Sequence, residues 1–408
     1  MKKLNIIYFL CLCLFTVNGQ NNSDIIIGKI DSLNSKILKE QREIWIHVPK
    51  EYSDELIEKK VYPVVYLLDG NTHFSSVVGM IEQLSAIGGG SILPKMIVVG
   101  ILNTNRTRDL TPTKGKPDSS TDSNMIANSG GGENFMLFIE KELFPYMESN
   151  YPTDSYRTFI GHSFGGLTVM NTLIERPNLF NSYVAIDPSM SWDNKKLLNK
   201  IMKTSLAEKY SNKNLFLGIA NTMSEKMNTV TVKKDTTSGT RHIRSILELN
   251  DYFNTDTQKN ISFKGEYYKE DHHGSVPLIA TYDALRFIFE FYLLKLDFTN
   301  PESVTTQKVE NHYKRLSKEF GREIKPEEEL LNMLGYWLMS NKQFKNSEQF
   351  FKLNVKTYPE SFNAYDSLGD FYLKIENKEK AIENYKKSVF INKDSLSKNK
   401  LKELEKKK

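Results

Sequence analysis

The stretch Tyr156-Arg-Thr-Phe-Ile-Gly161-His-Ser163-Phe-Gly165-Gly166 decides how the rest of the chain is read. It holds Gly-x-Ser-x-Gly between a short apolar run at 158–160 and a helix-like run at 167–174 that stops ahead of Pro177. Strand, tight turn and helix form the context in which this pentapeptide is a nucleophile elbow. A serine hydroxyl is a weak nucleophile, so it needs a base and must stand clear of its own backbone. A sharp turn exposes it but brings strand and helix so close that larger flanking side chains would clash. Gly161 and Gly165 meet that need, and Gly166 adds room. The N–H of Phe164 then sits at a helix N-terminus, where free donors and the dipole favour an oxyanion. Ser163 is the candidate nucleophile.

Outward from the elbow, strands and helices alternate. Residues 62–68, 95–101, 182–186 and 214–220 are nearly continuous apolar runs, as expected of strands covered on both faces. Residues 42–48 and 261–268 alternate apolar and polar, and 25–27 read as a further short strand. Helical patterns cover 75–84, 133–150, 241–253 and 279–294. This alternation predicts an α/β fold: a doubly wound, mostly parallel sheet with helices on both faces. Residues 103–129 form a long polar segment with Arg106, Arg108, Asp109 and Pro112, read as a functional or disordered loop.

In α/β-hydrolases the catalytic order is Ser, then Asp or Glu, then His. The base therefore belongs to the loop after the last strand, which offers His272 and His273, with His273 preferred. His47 and His73 precede the serine, His162 is the elbow's own variable residue, His242 falls in a helix and His312 lies beyond the closing helix. The acid orients the imidazole and offsets its charge. Glu225 and Asp235 rank about equally for that role and Asp187 ranks behind them, with a serine–histidine pair lacking an acid as the other reading. The turn Asp69-Gly70-Asn71 is placed to give a second oxyanion donor, the Asn71 N–H, beside that of Phe164. Trp192 and His162 are the candidate substrate contacts.

The 408 residues, 39% hydrophobic and 26% charged, suit a large globular domain with an appendage. Lys2 and Lys3, an apolar run to Val17 and small residues near Gly19 predict a secretory signal peptide at 1–19, too short to span a membrane. The only two cysteines, Cys11 and Cys13, lie within it, so the mature chain is expected to have no disulfide, and periplasmic or secreted in location. Of the net charge of +5, most sits at 391–408, where seven Lys face Asp394, Glu403 and Glu405. That is a solvated helix end and not a nucleic-acid face. No zinc-type cluster or phosphate loop is present, so neither metal nor organic cofactor is expected.

Beyond residue 296 the composition changes. After a linker at 297–325, Leu334-Gly335 matches Leu368-Gly369 at a spacing of 34, and Ser347 and Phe351 match Ala381 and Tyr385. This is the period of tetratricopeptide helix pairs. The expected division is a catalytic domain at 20–296, helical repeats at 326–398 that offer a protein partner a surface, and a basic tail at 399–408. Two copies are too few for a free-standing solenoid, so they are expected to pack on the linker helix or the catalytic domain.

The pieces Val65-Tyr-Leu-Leu-Asp-Gly70, Val99-Gly-Ile101 with Arg106-Thr-Arg-Asp-Leu-Thr-Pro112, Gly161-His-Ser-Phe-Gly-Gly166 and His273-Gly-Ser-Val-Pro277 together resemble the putative-esterase family of α/β-hydrolases. That family includes esterase D-like enzymes, enterochelin and salmochelin esterases, feruloyl and acetyl-xylan esterases and mycolyl transferases. The resemblance spans about residues 25–296 and implies Ser163 as nucleophile and His273 as base. It does not assign the acid, and the helical repeats lie outside it. It implies a hydrolase of siderophore-type or acyl-polysaccharide esters, and the signal peptide predicted at 1–19 makes it an exported one. The competing readings are an acyltransferase on the same scaffold and a non-catalytic interaction protein.

Overall fold

A computed structural model of the chain describes residues 25–49, 60–86, 91–117, 122–205, 208–255 and 260–406. The leader expected at 1–19, with both cysteines, lies outside the described residues.

The strands are β1 Lys29–Ser35, β2 Glu40–His47, β3 Tyr62–Leu67, β4 Ile97–Ile101, β5 Thr153–His162, β6 Ser182–Ile186, β7 Lys213–Ala220 and β8 Ile261–Tyr268. They form one sheet in the order β1-β2-β4-β3-β5-β6-β7-β8. β1–β2 and β2–β4 pair antiparallel, and every pair from β4–β3 onward is parallel. The helices around it are α1 Gly70–Ser85, α2 Arg106–Leu110, α3 Ser123–Ala127, α4 Gly132–Phe138, α5 Phe144–Asn150, α6 Phe164–Glu175, α7 Trp192–Ile201, α8 Arg241–Phe253 and α9 Val276–Ile288. The C-terminal helices are α10 Thr306–Phe320, α11 Glu328–Ser340, α12 Phe344–Thr357, α13 Phe362–Lys374, α14 Lys378–Ile391 and α15 Ser397–Lys406.

Successive residues of a strand point to opposite faces, and the apolar runs feed two cores accordingly. Val64, Tyr66, Phe159, Tyr183 and Leu215 join α4–α8 on one face. Their neighbours Val65, Leu67, Ile160, Val184 and Phe216 join α1, α9 and α10 on the other. A one-residue slip would exchange the two sets. This two-sided demand is why β3 and β4, and β6 and β7 past their first residues, are nearly continuous apolar runs.

Four local expectations change. Residues 25–27 form no strand: pairing with β2 begins at Lys29, opposite Ile46, and Ile25 is 94% exposed. Asp69-Gly70-Asn71 is the start of α1, with Asp69 in the left-handed region at φ 54°, and is not a plain turn. The segment 103–129 carries α2 and α3. The helix expected over 133–150 passes through a π turn at Ile139–Leu143, just ahead of Pro145, which has no N–H for a regular helical ladder.

The C-terminal region is all helical, and the 34-residue match is a repeated contact. A Cβ on Gly335 would meet the Phe351 ring at 2.8 Å, and one on Gly369 would meet the Tyr385 ring at 2.5 Å. In each hairpin a glycine lets an aromatic ring of the next helix lie on the backbone. The linker region is mostly α10. Its Val309 packs with Leu331, Leu334 and Phe350, while its Leu316 and Phe320 join the sheet core with Tyr156, Phe289 and Phe291.

Candidate active site

Three consecutive parallel strands end on a non-glycine residue with positive φ: Asp69 after β3 at 54°, Ser163 after β5 at 60° and Asp187 after β6 at 40°. Such conformations persist only where the surroundings enforce them, and they concentrate at functional sites. At Ser163 the cause is visible. Its N–H donates to Ile186 O at 3.0 Å, and its carbonyl accepts from Leu167 N at 2.9 Å and Ser189 N at 3.0 Å. A Cβ on Gly161 would lie 2.4 Å from the Gly165 carbonyl carbon, so strand and helix touch there. The Ser163 hydroxyl lies 3.3 Å from that of Ser189.

His273 comes from the loop between β8 and α9. That loop is closed on itself: Ser275 Oγ donates to Asp271 Oδ1 at 2.8 Å, and Val276 N–H to His272 O at 3.1 Å. His272 is spent within the turn, its Nδ1 accepting the Gly274 N–H at 3.0 Å. His273 faces inward. Its ring lies 4.4 Å from the ring of His162, the residue preceding the serine, and its Nδ1 is 2.5 Å from Asp187 Oδ2.

The carboxylate beside His273 is therefore that of Asp187, ranked last of the three acids by sequence. Glu225 is exposed on the loop after β7. Asp235 accepts from Thr237 and Thr240 hydroxyls, each at 2.6 Å, which holds its carboxyl down at about 2 and anchors the start of α8. Neither is brought to His273. The fully buried Asp187 also receives the Ala220 N–H at Oδ1, 3.1 Å away, and His242 Nε2 at Oδ2, 2.9 Å away. Burial opposes its charge, but the bonds from His242 and His273 outweigh it and hold the carboxyl well below the usual carboxylate range. In the sequence His242 reads only as a helical residue. Its usable signal is its place in the first turn of a helix at the carboxyl end of the sheet, where ligand and catalytic groups gather in α/β folds.

The start of α1 lies against the start of α6: a Cβ on Gly165 would be 3.4 Å from both Leu68 Cβ and Asp69 Oδ2. Thr72 and His73 N–H groups bond back to Asp69 O. This leaves the Gly70 and Asn71 N–H groups at the helix tip, near that of Phe164. Arg106 holds Asp69 in a two-pronged bond, Nε to Oδ1 at 2.7 Å and Nη2 to Oδ2 at 2.9 Å, and its Nη2 also reaches His162 O at 3.3 Å. The long segment after β4 thus ties both helix tips together. Burial, then the His273 and His73 charges, push His162 down to about 4, so it is neutral near pH 7. An open cleft of about 350 Å³ over these groups is lined by Asn71, His73, Asn103, Arg106, His162 and Gly274, among others. Trp192 does not line it. That side chain is 8% exposed, packs edge-on against Phe164 at 5.1 Å and donates Nε1–H to Thr113 O at 3.0 Å. It wedges the 103–129 segment against the elbow.

The sequence model of the family described as Putative esterase matches residues 35–276. The chain is 36% identical over 154 residues to ferri-bacillibactin esterase BesA of Bacillus subtilis, covering 34% of this chain and 52% of that protein. It is 28% identical over 166 residues to the siderophore triacetylfusarinine C esterase of Aspergillus fumigatus, covering 38% and 54%. The chain spans about half the length of the curated relatives it matches. Among solved structures, the IroE-like serine hydrolase from Shewanella oneidensis superposes with a TM-score of 0.65 at 31% identity, covering 81% of this chain and 99% of that one. A protein from Capnocytophaga ochracea shares the fold over 93% of this chain, with a TM-score of 0.64 at 19% identity and 99% of its own length covered. By its strand order, its elbow and the family match across most of the sheet, this chain belongs to the putative-esterase family of α/β-hydrolases.

Proposed function

We propose that the chain is an exported serine hydrolase of carboxylic esters, acting through an acyl-enzyme on Ser163. Ser163 Oγ attacks the ester carbonyl while His273 Nε2 takes its proton. The carbonyl oxygen becomes an oxyanion held by the Asn71 and Phe164 N–H groups. Collapse expels the alcohol, which carries away the proton from Nε2. Water then adds by the same route, activated by His273, and releases the acid. Asp187 holds His273 in the tautomer with its proton on Nδ1 and offsets the imidazolium charge. The observation that carries this reading is the 2.5 Å bond between His273 Nδ1 and a buried carboxylate, with the His273 ring 4.4 Å from that of His162, the residue next to a serine held at positive φ. Nε2 is the ring nitrogen it leaves for the serine.

The substrate we infer is a siderophore-type ester. The relatives named for such esters support it, as does a cleft rimmed by Arg106, Asn103, His73 and His162, a polar lining suited to an oxygen-rich ligand. A fluorophosphonate probe is expected to label the folded protein and to leave Ser163→Ala unlabelled. In a panel of aryl, feruloyl and catecholate trilactone esters, kcat/KM is expected to be highest for the trilactone. A folded protein inert to the probe and to every ester overturns the mechanism. Preference for feruloyl esters overturns the substrate class alone.

A further inference from the structure

We propose that Asp187, His242 and His273 form a chelating site for a zinc-like divalent cation, and that its occupancy switches the serine off. The three come from separate elements: the end of β6, the first turn of α8 and the loop ahead of α9. Their ligand atoms all lie within 4.8 Å of one another. The ester mechanism uses one imidazole on Asp187, yet two aim a ring nitrogen at the same oxygen, Oδ2, at 2.9 and 2.5 Å. In such a cluster a cation takes the place of the shared protons.

Bonds of about 2.0 Å around a tetrahedral ion put its ligands about 3.3 Å apart, so each ring nitrogen must retreat from Oδ2 by less than about 1 Å, while the two ring nitrogens, within 4.8 Å of each other, must come to that same spacing. The His242 and His273 side chains are 27% and 42% exposed, which gives an ion a route from solvent and leaves room for water as a fourth ligand. Asp187 Oδ1 keeps the Ala220 N–H, an outer bond of the kind that orients ligating carboxylates. Two imidazoles and one carboxylate select zinc, copper or nickel over magnesium or calcium.

The consequence is a change of tautomer. A cation on His273 Nδ1 leaves the ring proton on Nε2, the atom that must accept the Ser163 proton. No covalent bond beyond N–H is broken, and the proton only moves within the ring through solvent. The cation is thus an inhibitor and not a cofactor. The inhibitory half rests on the esterase reading; the binding half does not.

The test uses metal-free, untagged full-length protein. Titration with Co2+, followed by its visible absorption, and with Zn2+ by calorimetry is expected to show one site. Binding should weaken by more than about 100-fold in His242→Ala. The rate of fluorophosphonate labelling at Ser163 should fall in step with Zn2+ occupancy and return on chelation. His242→Ala, scaled to its own metal-free rate, should be insensitive at concentrations that saturate the parent. His242→Gln, which keeps a donor to Asp187, checks against misfolding. The 15N spectrum of the parent's imidazoles gives a reading without any variant: two rings, those of His242 and His273, should shift. Absence of stoichiometric binding, equal affinity in His242→Ala, or shifts in other rings overturns the site. Binding that leaves labelling unchanged overturns the switch. A metal-free parent that never labels refutes the esterase reading while the Co2+ spectrum still reports on the site.

Discussion

Asp187 accepts at both carboxylate oxygens, and replacing one of them separates orientation from charge. Asp187→Asn keeps the shape but presents an amide to His273, which favours the wrong tautomer. The expected loss in kcat is on the order of 10³–10⁴, with KM little changed, as for a triad carboxylate converted to its amide. Glu225→Gln should leave kcat unchanged, since that side chain lies exposed on its loop. His162 supplies a pH prediction. Its folded value is about 4 against an ordinary 6.5, so between those values the unfolded chain binds more protons than the folded one. Stability then rises with pH across that window, is fully present above 6.5 and declines as pH falls toward 4. Denaturant midpoints measured from pH 4 to 7 should show this slope, and His162→Gln should flatten it. A local motif and chain order point to Ser163 and His273 as candidates. Asp187 comes only third among the candidate acids and His242 not at all, because the bonds that join them to each other and to His273 span 55 and 86 positions. Chain order alone admits any carboxylate between the serine and the histidine, and it offers no way to choose a strand.

At the level of elements, what reads well is what physics states locally. Strands covered on both faces must be apolar throughout, so β3, β6 and β7 announce themselves. α2 and α3 do not, since five residues make little more than one turn and carry no periodicity. The start of α1 is not legible, because Asp69-Gly70-Asn71 has the composition of a turn. Its helical role depends on Arg106 and Asn103 fastening the Asp69 carboxylate from a distant segment. The helical hairpins yield a prediction whose sign is informative. Gly to Ala within an exposed helix interior stabilises by about 0.5–1 kcal/mol. At Gly369 the new methyl would press on the Tyr385 ring, which is buried and tied to Asp370 Oδ1 by a 2.7 Å bond. Gly369→Ala should therefore destabilise, by about 1–3 kcal/mol as overpacking does. Gly335→Ala should do the same against Phe351. A rise in the thermal midpoint for either variant would mean that the ring moves aside freely.

On the scale of the whole molecule, α10 decides whether the sheet and the C-terminal helices behave as one body. It belongs to two cores at once, through Val309 on one side and Leu316 with Phe320 on the other. Phe320 meets Tyr156 at 5.4 Å and Phe291 at 5.5 Å between ring centres. Just beyond it, Arg322 donates to the buried carboxylate of Asp154 at 2.5 Å. These contacts fasten the appendage to the base of β5, the strand that carries the elbow at its far end. Phe320→Ala removes a buried ring and should cost about 3–5 kcal/mol. The pattern of that loss is more telling than its size. The protein has three tryptophans, and Trp337 alone lies in the C-terminal helices, while Trp45 and Trp192 report on the sheet. Trp337→Phe and the double variant Trp45→Phe/Trp192→Phe thus isolate the two signals. If α10 couples the regions, both signals should follow one denaturant transition in the parent. In Phe320→Ala the sheet transition should shift to lower denaturant and separate from that of the helices, because Val309 still binds α10 to its other core. Coincident transitions with an unchanged midpoint would place the coupling elsewhere, and two separate transitions in the parent would show that the helices hang on the sheet without sharing its stability.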